Sequence, residues 1–398
     1  MYDYIIIGGG IAGLYMNAKL SSEYKTLLLE KNNNLGGRAV ETMFHNEHIK
    51  LGAGIAAIHN KRLLKLLRKL KIKFKKSNAN TNLLFNVNFD MKIATKQIIK
   101  KYKDVKNSKN NIDIYILTVK QFIEKYFGKK YFIEYDKQAE YKDYMNTFIE
   151  YYVKYYPIKD NIPEPYILIT LKWIDLINKL YRIIISNNGK IKINTDVIDI
   201  INKDNYYIIN SKYKTKNIIF ATTLKPLCNL LKKLNINLNY NKFIGSIPFV
   251  KIFTYHKNGH NLENNVDIDD YNITDNQLSK IVIISKNILM LSYSDNKNAK
   301  YWYKLYNENK EKLIDKLIEL CKKSTKQNII IDDIKFVYWD DGVHYFKAYN
   351  YNNNFKKFIK KLNCPINNIY VIGEMLSYKH GWVEGAIESV ERVYKMIK

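Results

Sequence analysis

Cysteine is scarce: Cys228, Cys321 and Cys364 are the only three in 398 residues. They form no C-x-x-C pair and no metal-ligand spacing, which excludes a disulfide scaffold and a cysteine-based zinc site and suits a reducing compartment. No apolar run approaches the ~18 residues that a membrane span requires. A secretory leader is not expected either, because Asp3 stands where a basic segment would and an apolar strand pattern begins at once. An intracellular protein without a membrane anchor is the expectation. His45, His48 and His59 are close in sequence, but nothing joins them to Cys or carboxylate ligands, so no metal is expected. Acidic residues are in deficit: 38 Asp+Glu stand against 65 Lys+Arg, a formal net charge of +27. That field favours anionic partners such as nucleic acid. Lys, Asn, Ile and Tyr are used heavily along the whole chain, so a compositional origin of the charge stands beside a functional one.

What is present begins at the N-terminus. The apolar run Tyr4 to Ile7 leads into Gly8-Gly9-Gly10-Ile11-Ala12-Gly13, a G-x-G-x-x-G placed directly after a strand. Gly8 permits a tight turn, Gly10 lets a pyrophosphate approach the backbone, and Gly13 allows close helix–strand packing. A helix opening at Ile11 and Ala12 turns free N–H groups toward phosphate. A second strand, Lys25 to Leu29, ends in Glu30-Lys31. A carboxylate there accepts from both hydroxyls of an adenosine ribose and repels a 2′-phosphate, which argues against NADP. Leu35-Gly36-Gly37-Arg38 then offers a tight backbone path beside a cofactor and a cation for its phosphates. At the far end, Ile369 to Ile372 reads as a strand closed by Gly373-Glu374, and Gly381-Trp382-Val383-Glu384-Gly385-Ala386 runs into a final helix. Glu374 can hold a ribitol hydroxyl, and the helix start near Val383 can aim N–H groups at a flavin pyrimidine oxygen.

The segments Gly8–Gly13, Glu30 and Gly36–Arg38, with Leu51-Gly52-Ala53-Gly54 and Gly381–Ser389, resemble the signatures of the flavin-containing amine oxidase family. The resemblance is firm at the two ends of the chain. It implies an α/β fold, with an FAD-binding Rossmann-type (glutathione-reductase-like) domain from 1–75, 180–240 and 351–398. A mixed α+β substrate domain from 76–179 and 241–350 is interleaved with it. It further implies non-covalent FAD, since Ala348 stands where some members carry a cofactor-bonding cysteine, and adenine contact by a strand near Val197. Lys251, in Phe249-Val250-Lys251-Ile252-Phe253, looks like the family's lysine that binds water at flavin N5. Strand alternation puts it on an apolar face, an odd place for a charge. Tyr349 and Trp382 would be the aromatic pair flanking a substrate amine, although Lys347 replaces a usual glycine. Ile55 and Ala56 replace the arginine that clamps amino-acid carboxylates, so an amine is the expected substrate and O2 the acceptor, with H2O2 as product.

The middle of the chain is less informative. Lys190 to Ile209 suggests paired strands, and Asn217 to Ala221 a buried one. Residues 61–76 place Leu63, Leu64, Leu66, Leu67 and Leu70 on one helical face, with Lys and Arg on the other. That pattern reads as a solvated helix over a core, or as a nucleic-acid or membrane-surface patch. Residues 118–156 read as aromatic-rich helices, and 243–350 as strands with one helix, Lys310 to Lys322. Asp267, Asp269 and Asp270 read as a solvated loop. Glu134, Asp136, Glu140 or Glu150 could line an entrance for a basic substrate. The alternatives kept open are an FAD-dependent desaturase or porphyrinogen oxidase, and a basic flavoprotein with a nucleic-acid-associated or packaging role.

Overall fold

The computed structural model describes the chain except residues 109–113, 115, 157–165, 237, 263–269, 350, 352 and 353, and the side chain of Tyr166. Its first sheet has seven strands. The strand Tyr2–Ile7 lies between Thr26–Leu29 and Tyr213–Phe220, parallel to both. Lys190–Lys192 extends one side and Ile369–Val371 the other, again in parallel. Ile5, Ile6, Leu27, Leu28, Ile218 and Ile219 have no exposed surface. Such unbroken apolar runs are what a parallel sheet covered on both faces requires. One face carries the helices Ile11–Leu20, Lys61–Lys69, Trp173–Ser186 and Val383–Ile397; the other carries Leu224–Lys233 and Phe355–Asn363. Within the Lys190 to Ile209 stretch, the antiparallel pair is Ile200–Lys203 with Tyr206–Ile209, while Lys190–Lys192 joins the parallel sheet instead.

The second sheet has six strands and is largely antiparallel. Its long members are Ile244–Tyr255, Ile288–Asp295 and Asp333–Phe346. Val250 and Ile252 face a helical layer containing Trp302 and Leu317. That layer holds two helices, Asn296–Glu308 and Lys310–Thr325, where the sequence suggests one. Asn296–Glu308 escapes detection because its tyrosines imitate a strand and its first turn is polar. The opposite face of the sheet carries Phe253 and Met290, which pack with Phe44 and Ile49, and Leu51 and Ile55 join the same cluster. This face therefore looks onto the segment after the nucleotide-binding turn. A third cluster is formed by the helices Met91–Asn107, Val119–Phe127, Lys129–Gln138 and Ile149–Lys154, with Tyr135, Tyr144 and Tyr152 buried inside it. Among the described residues no helix is long and apolar enough to cross a membrane.

Candidate active site

The glycine turn is built for close approach. Gly8 has φ +110°, and a Cβ on Gly13 would sit 2.0 Å from the Gly8 carbonyl oxygen. Gly10 differs: the nearest atom to a Cβ there is Gly37 Cα at 3.9 Å, so the space over it is open. Gly36, at φ +110°, donates its N–H to Gly9 O at 2.9 Å and brings the second glycine pair alongside the first. The first helical bond is Leu14 N–H to Gly10 O, and no side chain caps the helix, so the N–H groups of Ile11, Ala12 and Gly13 point out of its start. Glu30 is buried at the end of its strand and accepts from Gly9 N at 2.6 Å and Asn32 N at 2.8 Å. Lys31 beside it is exposed. A turn stripped of side chains, an uncapped helix start and a buried carboxylate fit a dinucleotide.

Forty residues on, the segment Lys50 to Gly54 is held by three side chains. Trp339 Nε1 donates to Leu51 O at 3.0 Å, and Trp173 Nε1 to Ala53 O at 2.7 Å. Lys251 Nζ donates to Lys50 O at 3.1 Å and Gly52 O at 2.7 Å. Gly52 has no room for a side chain, since its Cβ would meet Arg38 O at 2.0 Å. Lys251 is buried within the strand Ile244–Tyr255, and burial pulls its ammonium down to about 7, with Lys50 and Lys280 adding repulsion. The lysine is thereby poised to change protonation near neutrality.

A third element meets the second glycine pair at Arg38. Glu374 follows Gly373 (φ +128°) and accepts from Arg38 Nη2 at 3.1 Å, His344 Nδ1 at 2.7 Å, His344 N at 3.3 Å and Gly381 N at 2.8 Å. Burial alone would raise its pKa, yet His344 and Arg38 hold it well below the usual carboxylate range. Four donors occupy its acceptor sites, so a ribitol hydroxyl at Glu374 would have to replace one of them. Arg38 is turned toward Glu374 and the carbonyls of Asp341 (3.3 Å) and Gly342 (2.6 Å). Trp382 is the extended residue before the helix Val383–Ile397, with its ring edge-on to His59 at 6.0 Å.

Other expected residues lie elsewhere. Tyr349 packs edge-on against Phe243 at 4.9 Å, under Lys242, and borders a cavity of about 140 Å³ with Glu150, Tyr155 and Phe355. It makes a further ring contact with Tyr351, at 5.4 Å. Lys347, where the pattern has glycine, is tied by its N–H to Phe243 O, which fixes the backbone leading to Tyr349. Val197 is buried but lies outside any strand. Asp270 is buried, not solvated, and accepts from Asn80 N and Asn82 Nδ2; Asp267 and Asp269 lie outside the described residues. Glu134, Asp136 and Glu150 are each paired with a lysine. No group of His, Cys, Asp and Glu among the described residues could hold a metal ion.

Several residues with no local signal join the Lys251 face. Tyr293 stands opposite Lys251 on the neighbouring strand, and its ring lies 4.8 Å from the Lys251 ammonium and 4.5 Å from that of Lys280. Tyr141, Phe249 and Tyr293 form an aromatic wall, with centroids 5.5 to 6.2 Å apart. Lys280 is fully enclosed, 3.8 Å from Glu140 and 3.3 Å over the Tyr141 ring. Burial draws Lys280 down to about 8, against the pull of Glu140 and Asp295. It pushes Asp143 up to about 7 and Asp295 to about 6. Charge at these positions shows only in three dimensions, because the partners of each come from distant parts of the chain.

The profile of an NAD(P)-binding Rossmann-like domain matches residues 6–70. No curated protein matches the chain in sequence. Among solved structures, cyclohexylamine oxidase from Brevibacterium oxydans superposes with TM-score 0.76 at 13% identity, covering 100% of this chain and 98% of its own. A protein assigned as a protoporphyrinogen oxidase, from an Exiguobacterium species, gives 0.72 at 11% identity over 99% and 98%. A putrescine oxidase variant redesigned in its cofactor binding gives 0.71 at 10% identity over 100% and 98%. At such identities the likeness establishes the fold. The chain has the mixed α/β architecture shared by these oxidases, with a Rossmann-like nucleotide-binding unit at its start.

Proposed function

We propose that the chain is an FAD-dependent oxidoreductase of the amine-oxidase type. The observation that carries this is the run of close backbone contacts from the bare Gly10 turn through Gly37 and Arg38 to Gly52, in the Lys50–Gly54 segment held by buried Lys251. In this reading Ile11 and Ala12 offer backbone N–H groups to the pyrophosphate and Glu30 accepts from the adenosine ribose. Val197, which is buried, would pack beside the adenine. The Arg38–Glu374 ion pair would hold the ribitol by giving up one of its present hydrogen bonds, and the helix start at Val383 would offer positive potential to the flavin ring. With Ala348 where a cysteine would be required, the cofactor is held without a covalent bond. When bound, FAD supplies the acceptor for a hydride from the C–H bond beside an amine nitrogen and returns the electrons to O2, giving an imine and H2O2.

The chain itself supplies orientation, dryness and a proton site. Tyr141, Phe249 and Tyr293 give an apolar wall that excludes water from the reacting C–H bond. Lys251, drawn to about 7, holds or releases a proton at Nζ. Trp382, at the mouth of the final helix, and Tyr349, beside its cavity, would be the aromatic residues that border the substrate. Reduction of the bound flavin by an amine in the absence of oxygen tests the reading. A second reading, oxidation of a porphyrinogen-like substrate or desaturation, is favoured by one observation: the fold is shared, at TM-score 0.72, with a protein assigned as a protoporphyrinogen oxidase.

A further inference from the structure

Nine of the sixteen residues 61–76 are Lys or Arg, none is acidic, and all nine cations are exposed. They lie on one continuous piece of chain: the helix Lys61–Lys69, a left-handed turn at Lys71 (φ 54°), and the edge strand Lys75–Ala79. Lys61, Lys65 and Lys69 follow one another at a turn of helix, about 6 Å apart. Arg62 is paired with Glu384 and Glu391; the other eight have no ion pair among the described residues. The candidate active site has its own cations, Arg38 and Lys251.

We propose that this ridge binds the phosphate backbone of duplex nucleic acid without reading its sequence. Two observations choose this occupant over others. The leucines beneath the ridge are spent: Leu63, Leu64, Leu66 and Leu67 are at most 5% exposed inside the main core. The helix thus has no apolar face to insert into a lipid surface. The ridge also lacks an exposed aromatic ring, since Phe74 is half-buried against the same core. Single-stranded nucleic acid is held largely by stacking on such rings, whereas a duplex is held through its phosphates. The proposal is independent of the amine-oxidase reading.

The test is fluorescence anisotropy of a labelled DNA duplex against the full-length, cofactor-loaded protein across a salt series. Binding is expected to weaken with salt with a log–log slope of about −4, for four or five phosphate contacts. A ridge variant (Lys65→Gln, Arg68→Gln, Lys69→Gln, Lys73→Gln) is expected to bind at least about tenfold more weakly, with a slope reduced by about 3 to 4. A control removing four exposed lysines of another helix (Lys356→Gln, Lys357→Gln, Lys360→Gln, Lys361→Gln) should keep both affinity and slope nearly unchanged. If the helix variant melts early, Lys73→Gln, Lys75→Gln, Lys76→Gln addresses the ridge outside the helix. Equal weakening in ridge and control variants would assign the binding to net charge and overturn the proposal. So would absence of binding at low salt, or ridge-dependent binding to phosphatidylserine-containing vesicles but not to duplex.

Discussion

Lys251 and Gly52 lie 199 residues apart, yet the lysine ammonium donates to the glycine carbonyl at 2.7 Å from inside a fully buried site. The contact joins the second sheet to the segment that follows the nucleotide-binding turn. It also places an ionisable group, poised near neutrality, against the backbone that would border a flavin.

Replacing that lysine separates its roles. Lys251→Met keeps the bulk and removes the charge, leaving the carbonyls of Lys50 and Gly52 without their donor. The fold should survive, because a buried charge is costly and an apolar residue of similar size often replaces it without loss. FAD should still be retained, while the oxygen half-reaction slows on the order of 100-fold, the range of general acid–base contributions. Stopped-flow reoxidation of the reduced variant measures this; an unchanged rate contradicts the role.

Two neighbouring glycines should respond oppositely to one methyl group. Gly13→Ala forces a Cβ to within 2.0 Å of Gly8 O, so the turn cannot close and the melting temperature should drop by many degrees. Gly10→Ala meets nothing nearer than 3.9 Å, so the apoprotein should melt as wild type does. Its FAD affinity should nevertheless fall about tenfold or more, because the methyl occupies the path of the pyrophosphate. Thermal melts with and without FAD distinguish the two.

Glu374→Gln tests the half-buried ion pair with Arg38. The amide cannot balance the guanidinium, and because Arg38 keeps 28% of its side chain exposed the loss should be about 1 to 3 kcal/mol, less than for a fully enclosed pair. Denaturant midpoints of the apoprotein should show that loss, together with weaker FAD retention on gel filtration. A variant as stable as wild type would mean that Arg38 is satisfied by the Asp341 and Gly342 carbonyls alone.

The buried acids and lysines predict opposite pH trends. Asp143, pushed up to about 7, keeps a proton in the folded chain that the unfolded chain, titrating near 3.8, has released. The folded state binds more protons between about pH 4 and 7, so this contribution to stability falls as pH rises through that window. Lys251, drawn from 10.5 to about 7, does the reverse: the unfolded lysine stays protonated longer, and stability rises from about pH 7 to 10. Relative to wild type, Asp143→Asn should gain melting temperature from pH 4 to 7, and Lys251→Met should lose its advantage above pH 7. Profiles that run parallel to wild type contradict the assignment.

The parts legible in the sequence are those set by local backbone need. Gly8 and Gly13 announce a turn because other residues do not tolerate the positive φ of the one or the close contact of the other, and Lys251 stands out because alternation places it among Phe249 and Phe253. Lys280 gives no such sign: Ser279-Lys280-Ile281 reads like an exposed strand end, and its burial depends on Glu140 and Tyr141, far away in the chain. His344 is equally silent until Gly373 turns the chain and brings Glu374 to it. Tyr349 lies between these cases: its spacing from Trp339 is legible, but its packing against Phe243 depends on how the strand Asp333–Phe346, after a register shift, pairs with Ile244–Tyr255.

The most direct measurement is the absorbance of the bound flavin when a panel of amines is added without oxygen. The account predicts uptake of FAD by the purified chain and bleaching of its visible band by at least one amine class, with colour restored by air. A flavin reduced by dithionite but by no amine would contradict the amine-oxidase reading and move the search to porphyrinogen-like and desaturase substrates. A protein that takes up no FAD would contradict the account at its root.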